Sequence, residues 1–445
     1  MITHLLQWGL AFQLLLVISG CASYQPYRTD LLTCQYQKEG DCNKSAIQVA
    51  SHKKKALYRL AFVEFDDQGQ FQKPEQLNTM LNEYQKIAGT NDVLLVTFVH
   101  GWHHSAQPGD GNIASFRRLL SHISEVEGYT SAQQGREPRK ILGVYIGWRG
   151  DSLAIPYLNT ITFWDRKSTA HKVGQQGVTE TLVKLEEIVN VKKGIDEADS
   201  AHNSSRMVLI GHSFGGAVIY SSIQNILVDR FVDSRQGKTY QGNANGFGDL
   251  VVLVNPAFEA LRFSTLYNLS QEYCRDYFRN QVPKLAILTS ETDFATRYAF
   301  PAGRFFSTFF EAHGKLDRHY CLAPGSKGID PMRVSGGEAD RTAVGHFDSY
   351  LTHTLSPAPV STTLEKSFRL KNVQTLWATQ NYAASLDFDG SRLKSLGRTS
   401  PRNPYLNIKV DKQFMDGHND IWGKEVESFI RDLIIISTTP SSQTK

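Results

Sequence analysis

Surplus charge is scarce in this sequence: 48 Lys and Arg stand against 44 Asp and Glu, a formal net of +4 over 445 residues. So small and evenly spread an excess gives no basic stripe, and no nucleic-acid partner is expected. At most it confers mild attraction to an anionic membrane surface. Long apolar runs are missing apart from one near the N-terminus. With 41% hydrophobic and 21% charged residues, neither multiple membrane spans nor pervasive disorder fits. No internal repeat is present, and cysteine is limited to five residues. The length suits one large or two medium domains.

The apolar run that does occur, "LLQWGLAFQLLLVISGCAS", is too short to span a bilayer with ease and closes on small residues and Cys21. Its leader "MITH" holds neither Lys nor Arg. Ile18-Ser19-Gly20-Cys21 resembles the lipobox of bacterial lipoproteins. The resemblance implies that residues 1–20 are a signal peptide and that Cys21 carries acyl chains. At about 0.8 kcal/mol per buried CH₂, one chain anchors marginally and several lastingly. Ala22, where an aspartate would signal retention, resembles sorting to the outer membrane if the cell is Gram-negative. The expected location is the bacterial cell envelope, with the membrane as a partner through this anchor. The alternatives are an ordinary signal peptide cut nearby and an uncleaved N-terminal helix.

Without Cys21 four cysteines remain, an even number in a compartment that permits disulfides. Proximity suggests Cys34 with Cys42 around "QYQKEGD" and then Cys274 with Cys321, one of three connectivities open to four cysteines, with four unpaired thiols as the alternative.

Residues 21–56 read as a polar tether with a cystine loop, and "ALYRLAFVEFDDQGQF" as a leading hairpin or edge strand. From residue 93 short continuous apolar runs alternate with helical patterns: "VLLVTFV", "ILGVYIGW", "MVLIG", "LVVLVN" and "LAILTS". Strands buried on both faces look like this, and intervening helices imply a parallel sheet. Val178, Leu182, Leu185 and Ile188 recur at helical spacing and define one buried stripe. "YLNIKV" reads as the last strand, followed by a helix near 421–436. The fold class expected is α/β, a doubly wound and mostly parallel sheet over 57–436. A cap is inserted at about 294–400, and residues 437–445 form a tail.

"MVLIGHSFGGAVIY" sets Ser213 between a buried strand and a helix, boxed by Gly211, Gly215 and Gly216. That is the context of a nucleophile elbow, with a helix N-terminus behind it to favour negative charge. The arrangement resembles the α/β-hydrolase fold, in particular its lipases and esterases. The resemblance covers residues 57–436 by order of elements and a few short windows by motif. It implies an oxyanion hole formed by the N–H of Phe214 and, from "VTFVHGWHHSAQPGDG", that of Trp102. A metal site at the three histidines of "HGWHH" is the alternative reading of that loop.

The same order of elements places an acid after a late strand, where Asp293 stands in "LAILTSETDFAT", ahead of Glu291 and Glu259. The base is His418 in "DGHND", after the last strand, with His346 as its rival. Ser213, Asp293 and His418 then follow the chain order of this family. Trp148 and Arg149 end a strand near the site, as a head-group contact, a brace for the Trp102 loop, or plain packing. The four phenylalanines of "PAGRFFSTFFEAHG" line an acyl pocket or lid, or pack a core. The expected activity is hydrolysis of carboxylic, lipid-like esters through an acyl-enzyme, with the ester or lipid as substrate and no metal or organic cofactor implied. An acyltransferase using the same triad and a non-catalytic envelope lipoprotein are the alternatives. Oligomeric state is not legible.

Overall fold

The computed structural model describes residues 25–52, 55–150, 163–195, 204–234, 243–324, 327–359, 374–388 and 390–438. Cys21 and the apolar leader lie outside them. The five apolar runs form strands β4 (Val93–Val99), β5 (Lys140–Gly147), β6 (Arg206–His212), β7 (Leu250–Val254) and β8 (Leu285–Ser290), and "YLNIKV" forms β14 (Tyr405–Val410). They lie side by side and parallel in the order β5-β4-β6-β7-β8-β14. The protein is therefore α/β, with a mostly parallel central sheet between helices.

Both faces of the sheet are buried because successive residues point to opposite sides. On β4, Val93, Leu95 and Val99 join one core while Leu94, Val96 and Phe98 join the other. The first core is covered by helices α1 (Pro74–Ala88), α3 (Phe163–Val173), α4 (Thr179–Ile195), α5 (Phe214–Asp233) and α6 (Ala260–Gln271). The second is covered by α2 (Gly111–Gln134) and α9 (Lys424–Thr438). The stripe Val178, Leu182, Leu185 and Ile188 lies in the first core. Each such side chain contributes about 1.5–3 kcal/mol when fully buried.

The sheet is wider than the sequence suggests. Residues assigned to the tether form β1 (Asp30–Tyr36) and β2 (Ser45–His52), which lie at one side of a sheet of twelve strands. Their apolar content is small, but Ile47 reaches the first core and Ala50 the second. Strand β3 (Lys55–Glu64) is not an edge: it lies between β2 and β5, antiparallel to one and parallel to the other. Two of its polar side chains are paired within the fold. Buried Glu64 accepts the N–H groups of Tyr27 (2.9 Å) and Arg28 (2.8 Å), and Arg59 pairs with Glu83 at 2.9 Å.

The second half of the expected cap also belongs to the sheet, as β11 (His353–Pro357), β12 (Ser385–Asp387) and β13 (Ser391–Ser395) beyond β14. Among the described residues the segment from Phe294 to about His346 stands outside the sheet. It holds α7 (Phe300–Ser307), a hairpin of β9 (Lys315–Pro324) and β10 (Lys327–Ser335), and the short α8 (Gly336–Arg341). Disulfides join Cys34 to Cys42 and Cys274 to Cys321, the latter tying β9 to the end of α6. Among the described residues no helix is long and apolar enough to cross a membrane.

Candidate active site

Five adjacent strands, β4-β6-β7-β8-β14, end on the same rim of the sheet, so the residues just past them are neighbours in space. They are the 100–102 loop, Ser213, Asn255, the 291–293 turn and the 411–420 loop.

Ser213 sits at φ 54°, ψ −119°, in a region that costs a non-glycine residue about 1–3 kcal/mol. Its surroundings hold it there. Its N–H donates to Val254 O (2.9 Å), and its carbonyl accepts from Ala257 (3.1 Å) and Ala217 (3.2 Å). The glycines permit the close approach. A Cβ on Gly215 would come within 2.1 Å of Val99 O, one on Gly211 within 2.8 Å of Gly215 O, and one on Gly101 within 2.9 Å of Ser213 Cβ. The last distance sets the His100-Gly101-Trp102 turn directly against the serine. Phe214, fully buried, is the first residue of α5.

The Ser213 hydroxyl lies 2.7 Å from His418 Nε2, and His418 Nδ1 lies 2.9 Å from both carboxylate oxygens of Asp293. With the proton on Nδ1 donated to Asp293, Nε2 is free to accept from the serine. Asp293 is fully buried. Burial by itself would raise its carboxyl, but the His418 N–H, the hydroxyl of Thr296 and the Thr296 amide (3.1 Å) hold it below the ordinary carboxylate range. Behind Thr296 stands His346, whose Nε2 lies 3.0 Å from the same hydroxyl. Burial lowers His346 to about 4, so the ring is neutral at pH 7. Thr296 donates to the carboxylate, so His346 Nε2 carries the hydrogen that Thr296 Oγ1 accepts. The rival base of the sequence reading thus sits behind the acid and does not touch the serine.

The loop carrying His418 is clamped by groups that the sequence reading passed over. Asn255 Nδ2 donates to the carbonyls of His418 (2.8 Å) and Gly417 (3.2 Å), and His212 Nε2 donates to His418 O at 3.0 Å. Burial lowers His212 to about 3 and keeps it a neutral donor. Ser290 Oγ donates to Met415 O (2.6 Å), and Thr292 Oγ1 accepts the Gly417 N–H (2.9 Å). Asn255 did leave a sequence signal, being a polar residue that ends an otherwise apolar strand.

The remaining candidates fall elsewhere. Glu259 is buried among Lys167, Arg262 (2.8 Å) and Arg304 (3.3 Å), and Glu291 accepts the Lys412 N–H. The "HGWHH" histidines diverge. His100 is buried and stacked on Trp148, His103 stacks on Trp102, and His104 reaches Asp110 at 3.1 Å. Trp148 braces the loop, its Nε1 donating to His100 O (2.9 Å) and its N–H to His100 Nε2 (3.1 Å), while Arg149 faces Asp67. Two other clusters have metal-like spacing. The thiols of Cys274 and Cys321 beside His319 are joined to each other, and Asp340, near Glu311 and His313, is bidentate to Arg304. Phe305, Phe306, Phe309 and Phe310 pack no core; they are 48%, 80%, 63% and 96% exposed.

Fold and site together define a class: an α/β protein with a strained serine on a strand–helix turn, hydrogen-bonded to a histidine that is held by a buried carboxylate. No protein-family model and no curated protein matches the chain. Among solved structures it is similar to phospholipase PlaB from Legionella pneumophila in complex with thio-NAD, with 11% identity over 61% of this chain and 47% of that one, at a TM-score of 0.21. A second structure of the same phospholipase shows 12% identity over 55% and 51%, also at 0.21. The chain spans about half the length of the structures it matches.

Proposed function

We propose that the protein is a serine hydrolase of carboxylic, lipid-like esters. The observation that carries this reading is the continuous line from Ser213 Oγ through His418 to Asp293, with both hydrogen bonds at 2.7–2.9 Å. Ser213 Oγ attacks the acyl carbon while its proton passes to His418 Nε2. The oxyanion takes the N–H groups of Trp102 and Phe214, each such donor contributing about 3–4 kcal/mol in the transition state. Asp293 stabilises the imidazolium without taking its proton. His418 then protonates the leaving alkoxide, and a water activated by the same nitrogen releases the acid from the acyl-enzyme. The lipid-like preference rests on the exposed aromatic residues that begin beside the acid: Phe294, Tyr298, Phe305, Phe306, Phe309 and Phe310. Anchoring at Cys21 in the cell envelope belongs to the same reading. Incorporation of an alkynyl palmitate into the wild type and not into Cys21→Ser tests it.

A fluorophosphonate probe should label the wild-type protein and leave Ser213→Ala unlabelled; equal labelling of the two would remove Ser213 from the mechanism. Turnover across p-nitrophenyl esters from acetate to palmitate then reports chain length. Hydrolysis confined to the shortest esters would refute the lipid-like preference.

A further inference from the structure

Away from the serine, a cavity of about 820 Å³ opens between α3, α5 and the start of α6, and Ser213, Asp293 and His418 do not line it. Elsewhere these helices pack with apolar stripes, yet here their polar faces share one space. Helix α3 contributes Lys167, His171 and Lys172, and α5 contributes Gln224 and Asn225. At the floor the buried carboxylate of Glu259 meets Lys167, Arg262 and Arg304. Arg304 is shared with Asp340. Among the described residues the formal charges on the lining are therefore four positive (Lys167, Lys172, Arg262, Arg304) against two negative (Glu259, Asp340). A half-enclosed surplus of that sign attracts an anion.

Two further observations concern residues that line the cavity. Arg262 uses only its Nε, toward Glu259, so among the described residues its two terminal nitrogens make no hydrogen bond. His171 is buried, with Nδ1 on Ser221 Oγ at 2.7 Å, while its Nε2 makes no hydrogen bond and lies 3.7 Å from Glu259 Oε2. The volume far exceeds what an inorganic ion fills and falls in the range of small organic ligands. Side-chain amides on the α5 wall suit a hydroxylated body, and a planar guanidinium suits a phosphate.

We propose that this cavity binds an organic phosphate, a phosphorylated head group carried on a polar body, through Arg262 and Lys172, with His171 behind them. The site is independent of the serine reaction. The same chemistry is presented by a free phosphate ester and by a lipid head group, and the probes separate them.

The test is calorimetric titration of the full chain with inorganic phosphate, glycerol 3-phosphate and dihexanoyl phosphatidic acid, in the wild type, Arg262→Gln and Lys172→Gln. Lys172 is exposed, so its variant is expected to fold whatever the fate of the Arg262 variant, and thermal melting checks both. Saturable binding of either ester is expected, tighter than that of inorganic phosphate. It should weaken at least tenfold in Arg262→Gln and about threefold in Lys172→Gln. Binding of glycerol 3-phosphate assigns a free ester, and binding of the phosphatidic acid alone assigns a lipid head group. Absence of saturable binding by both esters, or unchanged affinity in the two variants, would overturn the proposal.

Discussion

Thr296→Val tests the reasoning about the acid most directly. The substitution keeps the shape of the side chain and deletes one hydroxyl, the group that lies between His346 Nε2 and Asp293. A hydrogen bond to a charged group contributes about 1.5–3 kcal/mol, so complete loss in the transition state corresponds to about 10- to 150-fold in rate. Asp293 keeps both contacts to His418 Nδ1 and its bond from the Thr296 amide, which places the expected fall in kcat near the lower limit, about tenfold. The direction of the pH effect follows from the same contact. The Thr296 hydroxyl helps hold Asp293 below its ordinary range, so removing it raises that carboxyl. The acid limb of kcat/KM then moves to higher pH. Thr296→Ser retains the hydroxyl and should restore both quantities. The assay is p-nitrophenyl ester turnover across pH, with melting temperature as the folding control. Wild-type kcat and an unmoved acid limb in the valine variant would show that the hydroxyl does not act through Asp293.

Three other outcomes are expected. His418→Ala should lower kcat by several orders of magnitude while His346→Ala, one contact removed from the acid, loses far less; steady-state kinetics on both decides, and the reverse ranking would move the base to His346. Gly101→Ala puts a methyl 2.9 Å from Ser213 Cβ and 3.0 Å from His212 Nδ1, so the turn must shift. A loss of about 1–3 kcal/mol in stability and at least tenfold in kcat should appear in chemical denaturation and turnover. Glu259 is set at about 2 against 4.5 for the free carboxyl: burial alone would raise it, but Lys167, Arg262 and His171 outweigh burial. Its stabilisation is complete above about 4.5 and is lost as pH falls through about 2, at most about 3 kcal/mol. Burial lowers Lys167 and offsets part of this. Glu259→Gln should flatten the acid limb of the stability curve, measured by denaturation between pH 2 and 6.

The centre of the sheet is legible because strands buried on both faces must be apolar throughout, as "VLLVTFV" and "LAILTS" are. Its flanks are not. β1 exposes most of its residues, and β12 and β13 alternate buried and exposed positions over three and five residues, so their composition resembles loop. Ser213, Asp293 and His418 each follow a recognisable strand, and the adjacency of β6, β7, β8 and β14 brings them within hydrogen-bonding distance. Thr296, Asn255 and His212 are different. Their relevance lies in which distant carbonyl or carboxylate they touch, and no local pattern encodes that. The aromatic run at 305–310 shows the same gap: its hydrophobicity is plain in the sequence, but its exposure depends on what the rest of the chain leaves uncovered.

A sheet of twelve strands has two open margins, and the first of them is β1. Unsheltered margins recruit further strands from other molecules. Here the Cys34–Cys42 bond staples that margin to its own connecting turn, and Asp41 gathers the N–H groups of Gln37 and Lys38 into the same knot. Reducing agents during purification would untie it and expose backbone that pairs with other copies.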